Sequence, residues 1–281
     1  MREMLGNSFA MMQGTANEFQ TMKDQLMTWL LHTTPVHRGT WQSEDVSGSD
    51  GHSTHELPNV VMMFSIPATI GNLQDYLRPD LPWAENHFQE RVSGKPLNPP
   101  PSYVDWPYHS SSERDRYVAD GLFSHTYPER MWPKRANPRE IMTFSSGRAA
   151  QINTGIRFAY GDLRDVVDLL RKHPRTRQAY LPIFFPEDTG AAYGQRIPCT
   201  LGYHFIRRGP VLDCNYFIRS CDVYRHFTND AYMAARLCQW MVSELTEEGS
   251  LMWPGNLNMH ISNLHLMRGD AWRLDRRDTT C

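Results

Sequence analysis

The sequence predicts an α+β fold, a mixed β-sheet packed with helices. Two amphipathic stretches read as helices, Asp162–His173 (DLRDVVDLLRKH) and Asp230–Leu245 (DAYMAARLCQWMVSEL). Short alternating stretches between Thr200 and Leu266 read as strands, without the strand–helix–strand rhythm of a doubly wound sheet. The 19 prolines and 18 glycines imply many turns and argue against an all-helical bundle. With 281 residues, 40% of them hydrophobic, the chain suits one large domain over residues 1–281.

Along the chain, Asn17–Leu31 places Phe19, Met22, Leu26, Trp29 and Leu30 at spacings of three and four, which predicts a helix. Gln42–Glu56 is polar and rich in Ser, Gly, Asp and His, and reads as a surface loop. Residues 1–57 are therefore expected to hold one helix and a flexible loop. The apolar run Asn59–Ile66 (NVVMMFSI) predicts a buried strand, followed by a helix over Ile70–Leu77. Residues 94–108 are too proline-rich for regular structure, and a loop this long in a compact domain is often functional. The helix over 162–173 presents Leu163, Val166, Val167, Leu169 and Leu170 to the core, and Pro174 stops it. Strands are expected over Ala179–Phe185, Thr200–Ile206, Val211–Ile218 and Asn256–Leu266, the middle two joined by a turn at Arg207-Arg208-Gly209-Pro210.

Composition narrows the function. Lys plus Arg is 29 against 31 for Asp plus Glu, a net charge of −2, so a general nucleic-acid coat is excluded while a small anion site is not. The five cysteines (Cys199, Cys214, Cys221, Cys238, Cys281) include no CxxC pair, which excludes a zinc knuckle or thioredoxin motif, and no metal is expected. The start, MREMLGNSFAMMQG, has no secretory apolar core, and no apolar run is long enough to span a membrane. A cytoplasmic protein of a reducing compartment is the expectation.

Several side chains suit chemistry. Cys199, in Ile197-Pro198-Cys199-Thr200, follows a Gly-containing loop and enters a strand. A thiolate there can attack electrophilic carbon, although a lone cysteine is more often a small buried hydrophobe. Arg219-Ser220-Cys221-Asp222-Val223 sets a guanidinium, a hydroxyl and a carboxylate at a strand end, a donor set suited to phosphate, where a solvated strand end is the plainer reading. His173-Pro174-Arg175-Thr176-Arg177 is a second basic cluster, at a helix end where cations also complement the dipole. Asp230, before an apolar helix, reads equally as an N-cap.

Taken in order, Arg175-Thr176-Arg177, Pro198-Cys199, Arg219-Ser220-Cys221-Asp222-Val223 and His265-Leu266 resemble the thymidylate synthase family from roughly Tyr160 to His265. The resemblance implies that family's fold, a homodimer packed sheet to sheet, and a reaction between a pyrimidine nucleoside 5′-monophosphate and 5,10-methylenetetrahydrofolate. It implies Cys199 as the nucleophile toward carbon 6, with Arg219, Ser220, Arg38 and Arg177 on the 5′-phosphate. Arg177 would reach across the dimer, and Arg38 would sit on an early flexible phosphate loop. Arg177 is followed by Gln178 where the family has paired arginines, and Arg175 is the substitute. Asp222 and Trp106 correspond to folate-binding positions, and His265 to a sugar-binding one. The catalytic glutamate of the family corresponds to Asp80 in Asp80-Leu81-Pro82-Trp83, with Glu85 as the fallback acid.

Three departures indicate the base, the sugar and the product. Eleven residues after Arg219, where the family pairs an asparagine with uracil, stands Asp230. A carboxyl group that can carry a proton matches the acceptor N3 and amino donor of cytosine. Phe227-Thr228-Asn229-Asp230 also resembles the dCMP hydroxymethylases of phages. The family's tyrosine near the sugar is Met267 here, which opens CMP as a substrate. Sixteen residues follow His265, fewer than in the synthases, so water rather than hydride is expected to complete the reaction. Other outcomes that the sequence allows are a reductive 5-methyl-dCMP synthase, a non-catalytic nucleotide-binding homologue and a Cys–His hydrolase using Cys199 with His204 or His265.

Overall fold

The computed structural model describes residues 2–6, 9–41, 44–109, 118–119, 121–136, 142–143, 149–150, 161–189, 197–246 and 251–278. Tyr160, Arg196 and Cys281 lie outside them.

Eight strands form one mixed sheet: β1 (Arg2–Gly6), β2 (Phe9–Thr15), β3 (Thr54–Ser65), β4 (Tyr180–Pro182), β5 (Thr200–Arg208), β6 (Val211–Ile218), β7 (Cys221–Asp222) and β8 (Trp253–Met267). The order is β1-β2-β3-β8-β6-β5-β4, with β7 beside β8. The β2–β3, β6–β8 and β7–β8 pairs are parallel and the others antiparallel. This is the α+β arrangement with a mixed sheet that the sequence predicts.

On one face Met12, Val60, Met62, Phe64, Met259 and Tyr216 are fully buried, and helices supply the facing apolar stripes. Helix α1 (Phe19–Leu31) buries Phe19, Met22, Leu26 and Leu30, the rhythm read from sequence. Helix α2 (Ile70–Leu77) is capped by the Thr69 hydroxyl, which accepts from the Asn72 amide. Helix α3 spans Trp83–Val92, and the short helix α4 spans Tyr127–Met131. Helix α5 (Leu163–Lys172) has a capping box in which Asp162 accepts from the amides of Arg164 and Asp165 and the Asp165 carboxylate accepts from the Asp162 amide. Helix α6 (Phe227–Leu245) is buried nearly all round, with Ala231, Ala234 and Ala235 allowing close approach. Helix α7 spans Arg268–Asp278.

The opposite face is less covered. Met11, Val61, His260 and Phe217 lie side by side across β2, β3, β8 and β6, each only half-buried, with the His260 and Phe217 rings stacked at 4.9 Å.

Several expectations change. The strand expected from Asn59 begins at Thr54, inside the stretch read as loop. Its polar start is stabilised by partners: Glu56 accepts from Thr54 Oγ1 at 2.6 Å and from Asn263 Nδ2 at 2.8 Å on neighbouring β8. The strand expected over 179–185 shortens to Tyr180–Pro182, because the chain turns at Pro186 into a short helix. The helix expected from Asp230 begins at Phe227. Strands β1 and β2 and helices α3 and α7 had no counterpart in the expected pattern.

Candidate active site

The parallel strands β6 and β8 and the residues that follow them frame a cavity of about 380 Å3, a size suited to a small ligand. Cys199 stands exposed at the mouth of β5 and lines it. Just past the end of β6, the Arg219 amide donates to the Cys199 carbonyl at 2.9 Å. The Arg219 guanidinium donates from Nε to Pro198 O at 2.9 Å and from Nη2 to Ile197 O at 3.2 Å, and its Nη2 lies 4.0 Å from Cys199 Sγ. One arginine therefore both shapes the cysteine loop and sets a positive charge beside the sulfur.

Ser220 places its hydroxyl 3.4 Å from His265 Nδ1. Asp222 faces His265 across the β7–β8 pair, and its Oδ1 accepts from the Tyr224 and Arg225 amides at 2.9 and 3.1 Å. Burial pushes the Asp222 carboxyl up and the His265 imidazole down, so both are held toward their neutral forms. On the expectation from sequence that Arg219 and Ser220 hold a 5′-phosphate, Arg219→Lys should weaken a nucleoside 5′-monophosphate by about 1–3 kcal/mol, the worth of charge-assisted hydrogen bonds. The unphosphorylated nucleoside should lose less. Titration calorimetry with both ligands measures the difference, and equal losses would remove Arg219 from phosphate binding.

Asp230 sits inside the helix rather than at its cap. The N-cap of α6 is His226, whose carbonyl accepts from the Asp230 amide at 2.8 Å, so the N-cap reading is set aside. The Asp230 side chain lines the cavity, and burial pushes its carboxyl up to about 6, against the opposing pull of Arg91 and a Cys221 thiol 3.8 Å away. A carboxyl at that level can hold or release a proton near neutral pH.

A second wall comes from α3, which the sequence reading missed. Its inward stripe is Trp83, His87 and Arg91, at i, i+4 and i+8, and all three line the cavity. The Arg91 guanidinium lies 4.1 Å over the Tyr127 ring, and among the described residues its buried Nε has no partner. His87 Nδ1 lies 3.1 Å from both Glu90 Oε2 and Ser102 Oγ. Glu90 also accepts from the Ser102 amide and hydroxyl, each at 2.6 Å. Burial raises the Glu90 carboxyl, but the bonds from His87 and Ser102 outweigh it and hold it below the usual range. That clasp docks the proline-rich loop over the cavity. The loop carries Tyr103 and Trp106 into the lining, with Trp106 stacked on His226 at 5.0 Å and 6.2 Å from Trp83. A hint was present in the sequence: Trp, His and Arg at four-residue spacing, with His-x-x-Glu at helical reach.

Five residues named from the sequence stand elsewhere. Asp80 does not line the cavity; its Oδ2 accepts from Asn229 Nδ2 at 2.8 Å and its amide donates to Asn229 Oδ1 at 3.0 Å. Among the described residues it meets the lining through Asn229, a position that fits a supporting role rather than the direct acid role expected of it. Glu85, the fallback acid, is held by Arg236 at 2.9 and 3.0 Å, Tyr232 at 2.5 Å and Gln89 at 2.8 Å, and it does not line the cavity. Arg38 pairs with Glu56 outside the lining, and the hydrogen bonds from Arg38, Thr54 and Asn263 hold Glu56 down to about 2 although burial alone would raise it. Arg177 is exposed in the turn before β4, and its carbonyl lies 3.0 Å from His204 Nε2. Met267 is buried and does not line this cavity.

No protein-family model matches the chain, and no curated protein matches it. Among the described residues, no helix is long and apolar enough to cross a membrane, and no group of three or more His, Cys, Asp or Glu is placed to hold a metal ion.

Proposed function

We propose that the protein is a cytidylate 5-hydroxymethylase with a thymidylate synthase-like fold, acting on dCMP. The observation that carries this reading is a single cavity lined by Cys199, Asp230, Arg219, Ser220, Asp222 and His265. These residues lie on four separate segments of the chain, and each has a role in one reaction.

Arg219 and Ser220 hold the 5′-phosphate at the rim. The Cys199 thiolate adds to carbon 6 of the base, the C5–C6 π pair moves toward carbon 5, and the charge spreads onto N3. Asp230 accepts from the 4-amino group and supplies a proton to N3, for which a carboxyl near 6 is suited. Carbon 5 is then nucleophilic. The flat walls of Trp83, Tyr103 and Trp106 suit a planar heterocycle, and the buried indole N–H groups of Trp83 and Trp106 lack partners among the described residues. Trp106 and Asp222 would hold 5,10-methylenetetrahydrofolate, which supplies one carbon at the oxidation level of formaldehyde. Water completes the reaction, and elimination of Cys199 restores the aromatic base.

The half-buried row Met11, Val61, His260 and Phe217 supports a homodimer packed sheet to sheet, with Arg177 completing the partner's phosphate site.

The test is base choice. Asp230→Asn replaces the carboxyl with an amide whose oxygen accepts from uracil N3–H and whose NH2 donates to O4. One buried hydrogen-bonding pair is worth roughly 1–3 kcal/mol, so the ratio of kcat/KM for dCMP over dUMP should fall ten-fold or more. An unchanged ratio would remove Asp230 from base recognition.

A further inference from the structure

We propose that Arg91 is a catalytic residue that donates to the C2 carbonyl oxygen of the pyrimidine and holds the charge formed there when Cys199 adds to the base. This rests on the hydroxymethylase reading and deepens it.

Arg91 is 4% exposed and lines the cavity. Among the described residues its guanidinium makes no hydrogen bond and no ion pair, and its Nε is a buried donor without an acceptor. A permanently charged group taken out of water without a paired carboxylate is costly, so its acceptor is expected from what fills the cavity. Trp83 and Trp106 line the same cavity, and each buries an indole N–H that lacks an acceptor among the described residues. This wall therefore offers donors, and it fits a ligand that presents acceptors to it. Arg219, by contrast, already donates to the carbonyls of Pro198 and Ile197.

Arg91 also stands at the reacting end. Its guanidinium carbon lies 4.1 Å over the Tyr127 ring. Thr200 Oγ1 donates to the Tyr127 hydroxyl at 3.2 Å, and Thr200 directly follows Cys199. Arg91 is near enough to Asp230 to pull that carboxyl down against the effect of burial. With Asp230 on the 4-amino group and N3, the next acceptor around the ring past N3 is O2. In the other direction comes carbon 5, which bears only hydrogen and offers a guanidinium nothing to bond.

The addition balances with the groups already named. The thiolate pair forms the S–C6 bond. The C5–C6 π pair becomes a C4–C5 π bond, and the C4–N3 π pair moves onto N3, where it is conjugated with the C2 carbonyl. N3 and O2 share the negative charge until Asp230 passes its proton to N3. A fixed guanidinium on O2 stabilises that adduct more than the neutral base, and it keeps its own protons throughout.

The probe is the 2-thio analogue of dCMP, in which sulfur, a weaker acceptor, replaces O2. The measurement is release of tritium from carbon 5 of both labelled nucleotides with 5,10-methylenetetrahydrofolate present. Arg91→Met should lower kcat for dCMP by on the order of 10²–10³-fold, the usual worth of one donor to a developing charge, with KM changed only a few-fold. The ratio of kcat/KM for dCMP over the analogue should fall about ten-fold or more from wild type to variant, because no donor is left to tell oxygen from sulfur. That ratio cancels the analogue's own reactivity and any general loss of packing. Arg91→Lys keeps the charge without the fork, so its ratio should fall between the two, and it gives the same reading if Arg91→Met does not fold. Equal ratios in wild type and variants, or wild-type kcat for dCMP in Arg91→Met, would overturn the assignment. A wild type that releases no tritium from dCMP would instead overturn the hydroxymethylase reading itself.

Discussion

Cys199→Ser should lower kcat by roughly 10⁴-fold or more while leaving nucleotide affinity within a few-fold of wild type. The hydroxyl fits where the thiol sits, exposed at the start of β5, and Arg219 holds the loop through the backbone carbonyls of Ile197 and Pro198. The change is therefore chemical. Arg219 Nη2, 4.0 Å from Sγ, attracts the charge of a thiolate, whereas a serine hydroxyl holds its proton too tightly to supply an alkoxide at neutral pH. Mass spectrometry of the protein with a 5-fluorinated dCMP should show a covalent adduct in the wild type alone. Turnover by the serine variant near the wild-type rate would remove the covalent scheme.

Asp188→Ala should cost about 3–5 kcal/mol of stability, the largest effect expected outside the catalytic residues. Arg130 and Asp188 are each about 1% exposed and form two parallel bonds of 2.9 and 2.7 Å. Asp188 also accepts from the Phe185 amide at 2.8 Å, and the guanidinium lies 4.5 Å over the Phe185 ring. Removing the carboxylate strands a buried cation and an amide together. For a chain of this size the melting temperature should fall by roughly 10 °C. Replacing both partners with apolar residues of similar volume should recover most of the loss, since the penalty comes from the orphaned charge. The pair matters to the site because it anchors α4, whose Tyr127 lies under Arg91. A melting temperature within a degree or two of wild type for Asp188→Ala would contradict this account.

That the strand-end residues named from the sequence line one cavity has a physical reason. Pro198-Cys199, Arg219-Ser220, Asp222 and His265 sit where adjacent strands begin or end, so their separation along the chain maps onto register across β5, β6, β7 and β8. Asp230 follows because α6 starts directly after β7. The α3 wall was hidden because its buried stripe includes His87 and Arg91, and a buried face made of polar residues gives no hydrophobic rhythm. The start of β3 was hidden likewise, since Thr54 and Glu56 are polar yet paired. Asp80 illustrates the opposite error: its spacing to Trp83 fits a motif, but Leu81 and Pro82 precede the helix and leave Asp80 against Asn229, while the next inward positions go to His87 and Arg91.

The central claim is that this cavity adds a hydroxymethyl group to cytidylate. The most direct measurement incubates the purified protein with 5,10-methylenetetrahydrofolate and each of dCMP, CMP, dUMP and dUMP's ribonucleotide counterpart UMP, then reads the nucleotide masses. The account predicts a gain of one CH2O unit on cytidylate, greatest for dCMP, and little or none on either uridylate. A gain of CH2 in place of CH2O, modification of the uridylates alone, or no modified nucleotide at all would contradict it.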